Sequence, residues 1–348
     1  MTAHTMLAAA IASAALAYLL VCLLLRLGAA GIFLDLPNHR SLHSRPVPRI
    51  GGVVMVPAIV IPAVILAVNS GVWSSGALFL ALSWLPVFLV SIWDDWHPLP
   101  PLRRLLVHLG ACAAWLAWIV GHGLPWDGWM AWLAVPLAWL GMGWMLNLYN
   151  FMDGLDGLAS GMGVIGFASL SGIAWLGVDP EIATISALIS GATFGVWLWN
   201  RPPGRIFLGD AGAASLGFVA AALGLWGWQR GSVPFWVVPA VFSPFITDAS
   251  LTLMFRLFKG RRLWEAHRDH LYQKLVLARV SIVRVLLAEY VTMLAVSGAV
   301  YMVINNENAM LNKLVLFVLV LLQVTIRIGL EGSRRLDAGA TDSGCEGL

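Results

Sequence analysis

The feature that most constrains this chain is a repeated one. Apolar runs of about 17–22 residues recur along its length, each close to what a helix needs to cross the hydrocarbon core of a bilayer. A soluble fold of 348 residues would need polar side chains to cover its surface, and soluble chains carry about 25% charged residues. Here 11% are charged and 59% hydrophobic, with a mean hydropathy of +0.82. The runs predict spans near 5–26, 51–69, 75–93, 104–121, 129–146, 158–176, 181–199, 211–229, 233–255, 281–303 and 312–330. The expected fold is an all-α polytopic membrane protein with about 10–11 transmembrane helices, its chemistry confined to the connecting loops. Residues 1–330 read as a single integral-membrane domain. Residues 331–348, rich in Gly, Ala, Ser and Asp, read as a short disordered cytoplasmic tail.

Charge sets the orientation. No Lys or Arg precedes the first run and Arg26 follows it directly, which favours an uncleaved first helix with its N-terminus outside. All but Arg230 and Lys313 of the 21 Lys and Arg residues then fall on the cytoplasmic side, the bias that the positive-inside rule demands. Cys22, Cys112 and Cys345 share no metal-ligand spacing and read as structural or incidental. Trp126, Trp129, Trp228 and Trp236 lie at span ends, where indole rings anchor helices at the interface.

The outer loops carry little beyond Asp127, Asp179, Glu181 and Glu307, whereas the inner loops hold most of the acids, amides and histidines. The first, Asp35 to Gly52, combines Arg40, His43, Arg45 and Arg49 with three prolines. That set suits an anionic ligand and equally an ordinary basic loop with turn residues. The second places Asp94 and Asp95 at the end of an apolar run, with His97, Arg103 and Arg104 beyond. Adjacent acids at a helix C-terminus oppose the macrodipole and repel each other, by roughly 4 kcal/mol at about 4 Å and an effective dielectric near 20. A divalent cation or a cationic partner would relieve that repulsion; plain solvation is the alternative.

The third inner loop offers Asn147, Asn150, Asp153 and Asp156, hard oxygen ligands suited to Mg2+, with Gly154 and Gly157 leaving room for a close approach. The fourth runs through Phe207 and Gly209 to Asp210, which is placed to bind metal and equally to cap a helix. The fifth carries His267, Arg268 and His270, with both imidazoles on one face if helical; this suits a diphosphate better than zinc. Asp248 lies inside the preceding run and reads either as functional or as the partner of a buried Arg or backbone group. Gly161, Gly163 and Gly166 match GxGxxG, but within an apolar run and with no strand before them they mark close helix packing.

Five elements in order carry a resemblance. They are D-x-P-N-x-R-S-x-H-x-x-P-x-P-R-x-G-G from Asp35 to Gly52, the pair Asp94–Asp95, N-x-x-N-F-M-D-G-x-D-G from Asn147 to Gly157, F-L-G-D-A-G from Phe207 to Gly212, and H-R-D-H-L-Y-Q from His267 to Gln273. Together they resemble the polyprenyl-phosphate N-acetylhexosamine-1-phosphate transferase superfamily, the MraY- and WecA-like membrane enzymes of glycosyltransferase family 4. The resemblance implies Asp94, Asp95 and Asp153 as catalytic acids, and Asp210 with Asp153 as ligands of Mg2+, with Mn2+ as a substitute. It implies a nucleotide-sugar site of Asn150, Gly154, Leu155, Asp156, Phe207, His267, Arg268, His270, Arg45 and Arg49.

The implied reaction is glycosyl-1-phosphate transfer. An oxygen of undecaprenyl (polyprenyl) phosphate attacks the sugar-proximal phosphorus of a UDP-N-acetyl sugar and UMP leaves. The polyprenyl-diphospho-sugar would initiate a cell-surface glycan such as an O-antigen or a similar lipopolysaccharide or exopolysaccharide. A double displacement through an aspartyl phosphate is the competing scheme. The implied place is the bacterial inner membrane, with the active site on the cytoplasmic side. Membrane lipid is an expected partner, a homodimer is compatible with the resemblance, and nucleic acid is not implied. The peptidoglycan branch carries a triple histidine where this chain has His-Arg-Asp-His, which argues against a muramyl-pentapeptide donor. A secondary transporter would explain the spans but not polar residues gathered on one side; a non-catalytic scaffold is the third reading.

Overall fold

The computed structural model describes residues 2–28, 31, 33–35, 45–70, 74–123, 129–262, 267–305 and 309–342. Arg40, His43, Trp126, Asp127, Glu307 and Cys345 therefore lie outside the described residues. The helices are α1 (Ala3–Arg26), α2 (Gly51–Ser70), α3 (Ser75–Trp96), α4 (Pro101–Gly121), α5 (Trp129–Phe151), α6 (Leu158–Leu176), α7 (Pro180–Asn200), α8 (Gly209–Gln229), α9 (Val237–Val241), α10 (Ser243–Phe258), α11 (Leu271–Leu277), α12 (Ile282–Asn305) and α13 (Ala309–Asp342). Two short strands, β1 (Leu34–Asp35) and β2 (Val47–Pro48), pair antiparallel with Asp35 opposite Val47. Among the described residues, nine helices are long and apolar enough to cross a membrane. The protein is an all-α, multi-pass membrane protein.

Two elements depart from the sequence reading. The run expected over 233–255 is broken at Phe242 between α9 and α10. Pro244 stands in the first turn of α10, where its missing N–H is tolerated but cannot continue the turn before it. At the other end, α13 runs on to Asp342, so the tail expected from 331 is helical that far. Leu336, Ala338 and Ala340 in this stretch are good helix formers.

The buried centre is α6, α7 and α8, and small residues let them approach. A Cβ on Gly163 would lie 2.8 Å from Thr193 Cγ2, and one on Gly217 2.6 Å from the Met145 carbonyl. Gly166 fits against the Phe242 ring, so the GxGxxG run serves packing.

At the end of the bundle reached by α7's first turn and α8's last, Arg230 Nε meets Asp179 Oδ2 at 2.9 Å and its Nη1 meets Glu181 Oε2 at 2.7 Å. Glu181 Oε1 accepts from the backbone N–H and hydroxyl of Ser74, and Asp179 accepts from Ser232. One cation thus ties three interhelix connections. Arg230→Gln should lower stability by on the order of 2 kcal/mol, less than the full cost of orphaning buried acids because Arg230 is 36% exposed. The melting temperature in detergent checks this, and an unchanged value would mean that water already neutralises these acids.

Candidate active site

At the opposite end of the bundle five connections meet. The end of the first inner loop is laced to the fourth by backbone bonds: Phe207 N to Pro48 O (2.8 Å), Gly51 N to Phe207 O (2.9 Å) and Gly52 N to Leu208 O (2.8 Å). Gly52 permits this, since a Cβ there would fall 2.6 Å from the carbonyl carbon of Ala211. Gly209 opens α8 with φ +75°, and a Cβ on it would sit 2.8 Å from Asp95 Oδ2.

The acid pair is used asymmetrically. Asp95, fully enclosed, accepts from the backbone N–H of Asp210 (3.0 Å) and of Ala211 (2.9 Å). The N-terminus of α8 thereby offsets the repulsion that an acid suffers at the C-terminus of α3. Arg49 adds Nη1 at 3.7 Å while bonding Asp35 Oδ1 at 2.7 Å. Asp94 accepts from Leu99 N at 2.6 Å, and Arg104 Nη1 bridges Asp94 Oδ2 and Asp210 Oδ2. Asp210 also takes Asn150 Nδ2 at 3.3 Å. It is not the helix cap: Leu208 holds that position, and Asp210 lies in the first turn of α8 with its N–H capped by Asp95. Asp153 follows the end of α5. Burial, and then the charges of Asp210 and Asp95, push its carboxyl well above the usual carboxylate range.

The loop after α5 is held from three sides. Asp156 Oδ2 accepts from Gly204 N at 2.9 Å. Asn200, buried at the end of α7, accepts from Gly157 N (3.0 Å) and the Ser160 hydroxyl (2.6 Å) while donating to Ile206 O (2.9 Å). Tyr290 on α12 donates to Gly157 O, and Tyr272 donates to Phe151 O at 3.1 Å. Gly154 faces the Tyr272 hydroxyl. Leu155 is enclosed in the apolar core, 5% exposed, so it supports the loop and presents little surface to a ligand. Asn147 turns back to Gly143 O and leaves the cluster to Asn150.

Beside this loop lies a basic basin of about 540 Å3 lined by Arg256, Arg261, Arg262, His267, Arg268 and Asp269. Arg256 pairs with Asp269. His267 and His270 stand 5.0 Å apart, and His270 stacks between Phe151 (6.2 Å) and Tyr272 (5.8 Å). Burial, His270 and Arg256 lower the His267 pKa to about 4, so its imidazole is neutral at pH 7. Arg45 is exposed at the edge of the described residues, and the half-buried Phe207 joins the site through its backbone.

Residues 77–227 match the family described as glycosyl transferase family 4. This stretch contains Asp94, Asp95, Asp153 and Asp210. A Bacillus subtilis protein named as a probable undecaprenyl-phosphate N-acetylglucosaminyl 1-phosphate transferase is 28% identical over 255 residues, 70% of this chain and 69% of that protein. A phospho-N-acetylmuramoyl-pentapeptide-transferase of Synechococcus elongatus is 34% identical over 239 residues, covering 61% and 62% of the two chains. Along the stretch that carries these acids the chain is similar to the polyprenyl-phosphate hexosamine-1-phosphate transferases. It is a glycosyl-1-phosphate transferase.

The donor set of this transferase suits a hard divalent cation. Four carboxylates, Asp94, Asp95, Asp153 and Asp210, face the guanidiniums of Arg49 and Arg104. Asp153 in particular lies among acids, with its carboxyl pushed toward the neutral form. No group of three or more acids, His or Cys among the described residues is drawn together tightly enough to form a cage by itself. Mg2+ is usually held by one or two carboxylates plus substrate phosphates, which this arrangement can provide. Several residues that shape the site had no role assigned from the sequence: Arg104, named only as a loop cation, Tyr272, present only within the fifth motif, and Asn200 and Tyr290, not singled out at all. Only Arg104, ten residues after Asp94 in a loop already rich in charge, left a local signal.

Proposed function

We propose that the transferase moves an N-acetylated hexosamine 1-phosphate from a UDP-sugar to undecaprenyl phosphate at the cytoplasmic face of a bacterial inner membrane. UMP is released, and the lipid-linked product starts a cell-surface glycan. One arrangement carries this reading: a carboxylate cluster with excess negative charge, joined through the end of α5 to a basic basin. Asn150 reaches the acids while Phe151 stacks on His270.

An oxygen of the lipid phosphate attacks the sugar-proximal phosphorus, the bond to UMP breaks, and UMP departs with the electron pair. A phosphate monoester has a second pKa near 6, so the acceptor is largely ionised at pH 7 and positioning does most of the work. Arg104 supplies positive charge beside the migrating group, Asp95 fixes the start of α8, and Asn150, Asp156, His267, Arg268 and His270 bind the donor. Mg2+, held by Asp210 and Asp153 with substrate oxygens, would neutralise charge on the diphosphate.

The test is UMP release by purified protein given undecaprenyl phosphate, Mg2+ and a panel of UDP-N-acetyl sugars. Release should require both lipid and metal and fall at least a hundredfold in Asp210→Asn. No release from any donor by folded protein would refute the proposal. The panel includes UDP-MurNAc-pentapeptide, because one relative at 34% identity bears that activity in its name. The His-Arg-Asp-His run from His267 to His270 favours a simpler amino sugar.

A further inference from the structure

The last long helix is seated in an unusual way. Among the described side chains of α13, only Gln323 and Arg327 are buried, each 8% exposed, while Leu321, Leu322, Ile326 and Ile328 point outward. Leu316 and Leu319 pack partly against the core, but the side chains that α13 buries most fully are a guanidinium and an amide four residues apart. An uncompensated charge at membrane depth is costly. Here the cost is offset by a relay: Arg327 Nη1 lies 2.7 Å from Asp248 Oδ2, and its Nη2 lies 3.1 Å from Pro244 O and 3.4 Å from Glu289 Oε1. Asp248, 1% exposed, turns its other oxygen toward the fifth inner loop, where Oδ1 accepts from Leu271 N at 3.0 Å and faces His270 Nδ1 at 3.5 Å.

We infer that Arg327 is a positioning residue for the donor site, acting through Asp248 to fix His270 and the first turn of α11. Nothing in the phosphoryl-transfer chemistry requires a cation on α13, and among the described residues Arg327 meets Asp248, Glu289 and the Pro244 carbonyl rather than the acids of the catalytic cluster. What it holds is the carboxylate that receives the chain at His270–Leu271. His270 in turn orients His267 by ring contact and stacks on Phe151 and Tyr272. An aspartate relieved of its cation would draw in water or a proton and loosen that anchor. The basin would then lose its shape while the α3–α8 acid cluster stayed intact. This inference rests on the reading of His267, Arg268 and His270 as donor ligands.

The experiment is calorimetric titration of the full-length chain in detergent with UDP, which keeps the uridine and diphosphate common to the donor panel. In Arg327→Met the Kd for UDP should rise at least tenfold with unchanged stoichiometry, and Arg327→Lys should return it to within threefold of wild type. A merely structural role gives the opposite pattern, fewer competent sites at unchanged Kd, and that result overturns the inference. Should Arg327→Met not fold, Asp248→Asn replaces it, with the same tenfold rise expected and an unchanged Kd equally fatal. His267→Ala separates the two layers. If it weakens UDP and the relay variants do not, the relay is wrong and the donor reading stands; if it leaves UDP binding intact, both fall.

Discussion

Asp95→Asn should cut turnover about a thousandfold, roughly 4 kcal/mol of transition-state stabilisation, although the change removes no atom of bulk. Asp95 spends both carboxylate oxygens on the N-terminus of α8, one on Asp210 N and one on Ala211 N. An amide has a single oxygen, so its NH2 group would have to face one of those N–H donors. A buried donor left without a partner costs about 1–3 kcal/mol, and the anion complementing the helix N-terminus is lost as well. Arg49 loses a neighbour at 3.7 Å. The first turn of α8 must then shift, and it carries Asp210. UMP release and melting temperature measured together decide the matter. A variant that keeps more than a tenth of its turnover, with an unshifted melt, would show that Asp95 does not hold this geometry.

The second large effect is expected at a residue that meets no acid of the cluster. Asn200 is 2% exposed and binds Gly157 N, the Ser160 hydroxyl and Ile206 O at once. Asn200→Leu fills nearly the same volume but strands three buried polar groups. At about 1–3 kcal/mol each the cost is on the order of 4 kcal/mol, near the total margin of many proteins. The loop bearing Asp153 and Asp156 would separate from the loop leading to Asp210, so activity should be lost with or without global unfolding. Limited trypsin digestion reads the local event at the Arg205–Ile206 bond, which lies in the freed segment. Wild-type resistance at that bond would count against the bridge.

How much of this was legible in the sequence depends on what each feature obeys. The helices were readable because the hydrocarbon core imposes length and apolarity on every span, and observed and expected bounds differ by a few residues for α1, α2, α6 and α7. The acids were readable because charges beside a membrane are expensive to keep without use. The break at Phe242 was marked by Pro244 yet hidden by continuous hydropathy. Pairings across the chain left no local trace. Arg104 reaches an acid 106 residues away, Tyr290 closes on Gly157 across 133, and Asp248, which allowed two readings, finds its cation on α13. Asp210 allowed a cap reading because Asp is common at helix starts; in the fold Leu208 holds the cap position and Asp95 accepts the Asp210 N–H.

The ion-paired clamp around Arg230 has a mechanical consequence. Arg230 caps the C-terminus of α8, and Asp210 sits in its first turn. The helix between them has 21 residues, about 30 Å at the α-helical rise. A rigid rod of that length, tilted by about one degree at one end, moves its other end by roughly 0.5 Å, close to the tolerance of a productive catalytic geometry. The clamp and the acid cluster are thus the two ends of a single lever. An aspartate on one side of the membrane is aimed in part by a guanidinium on the other.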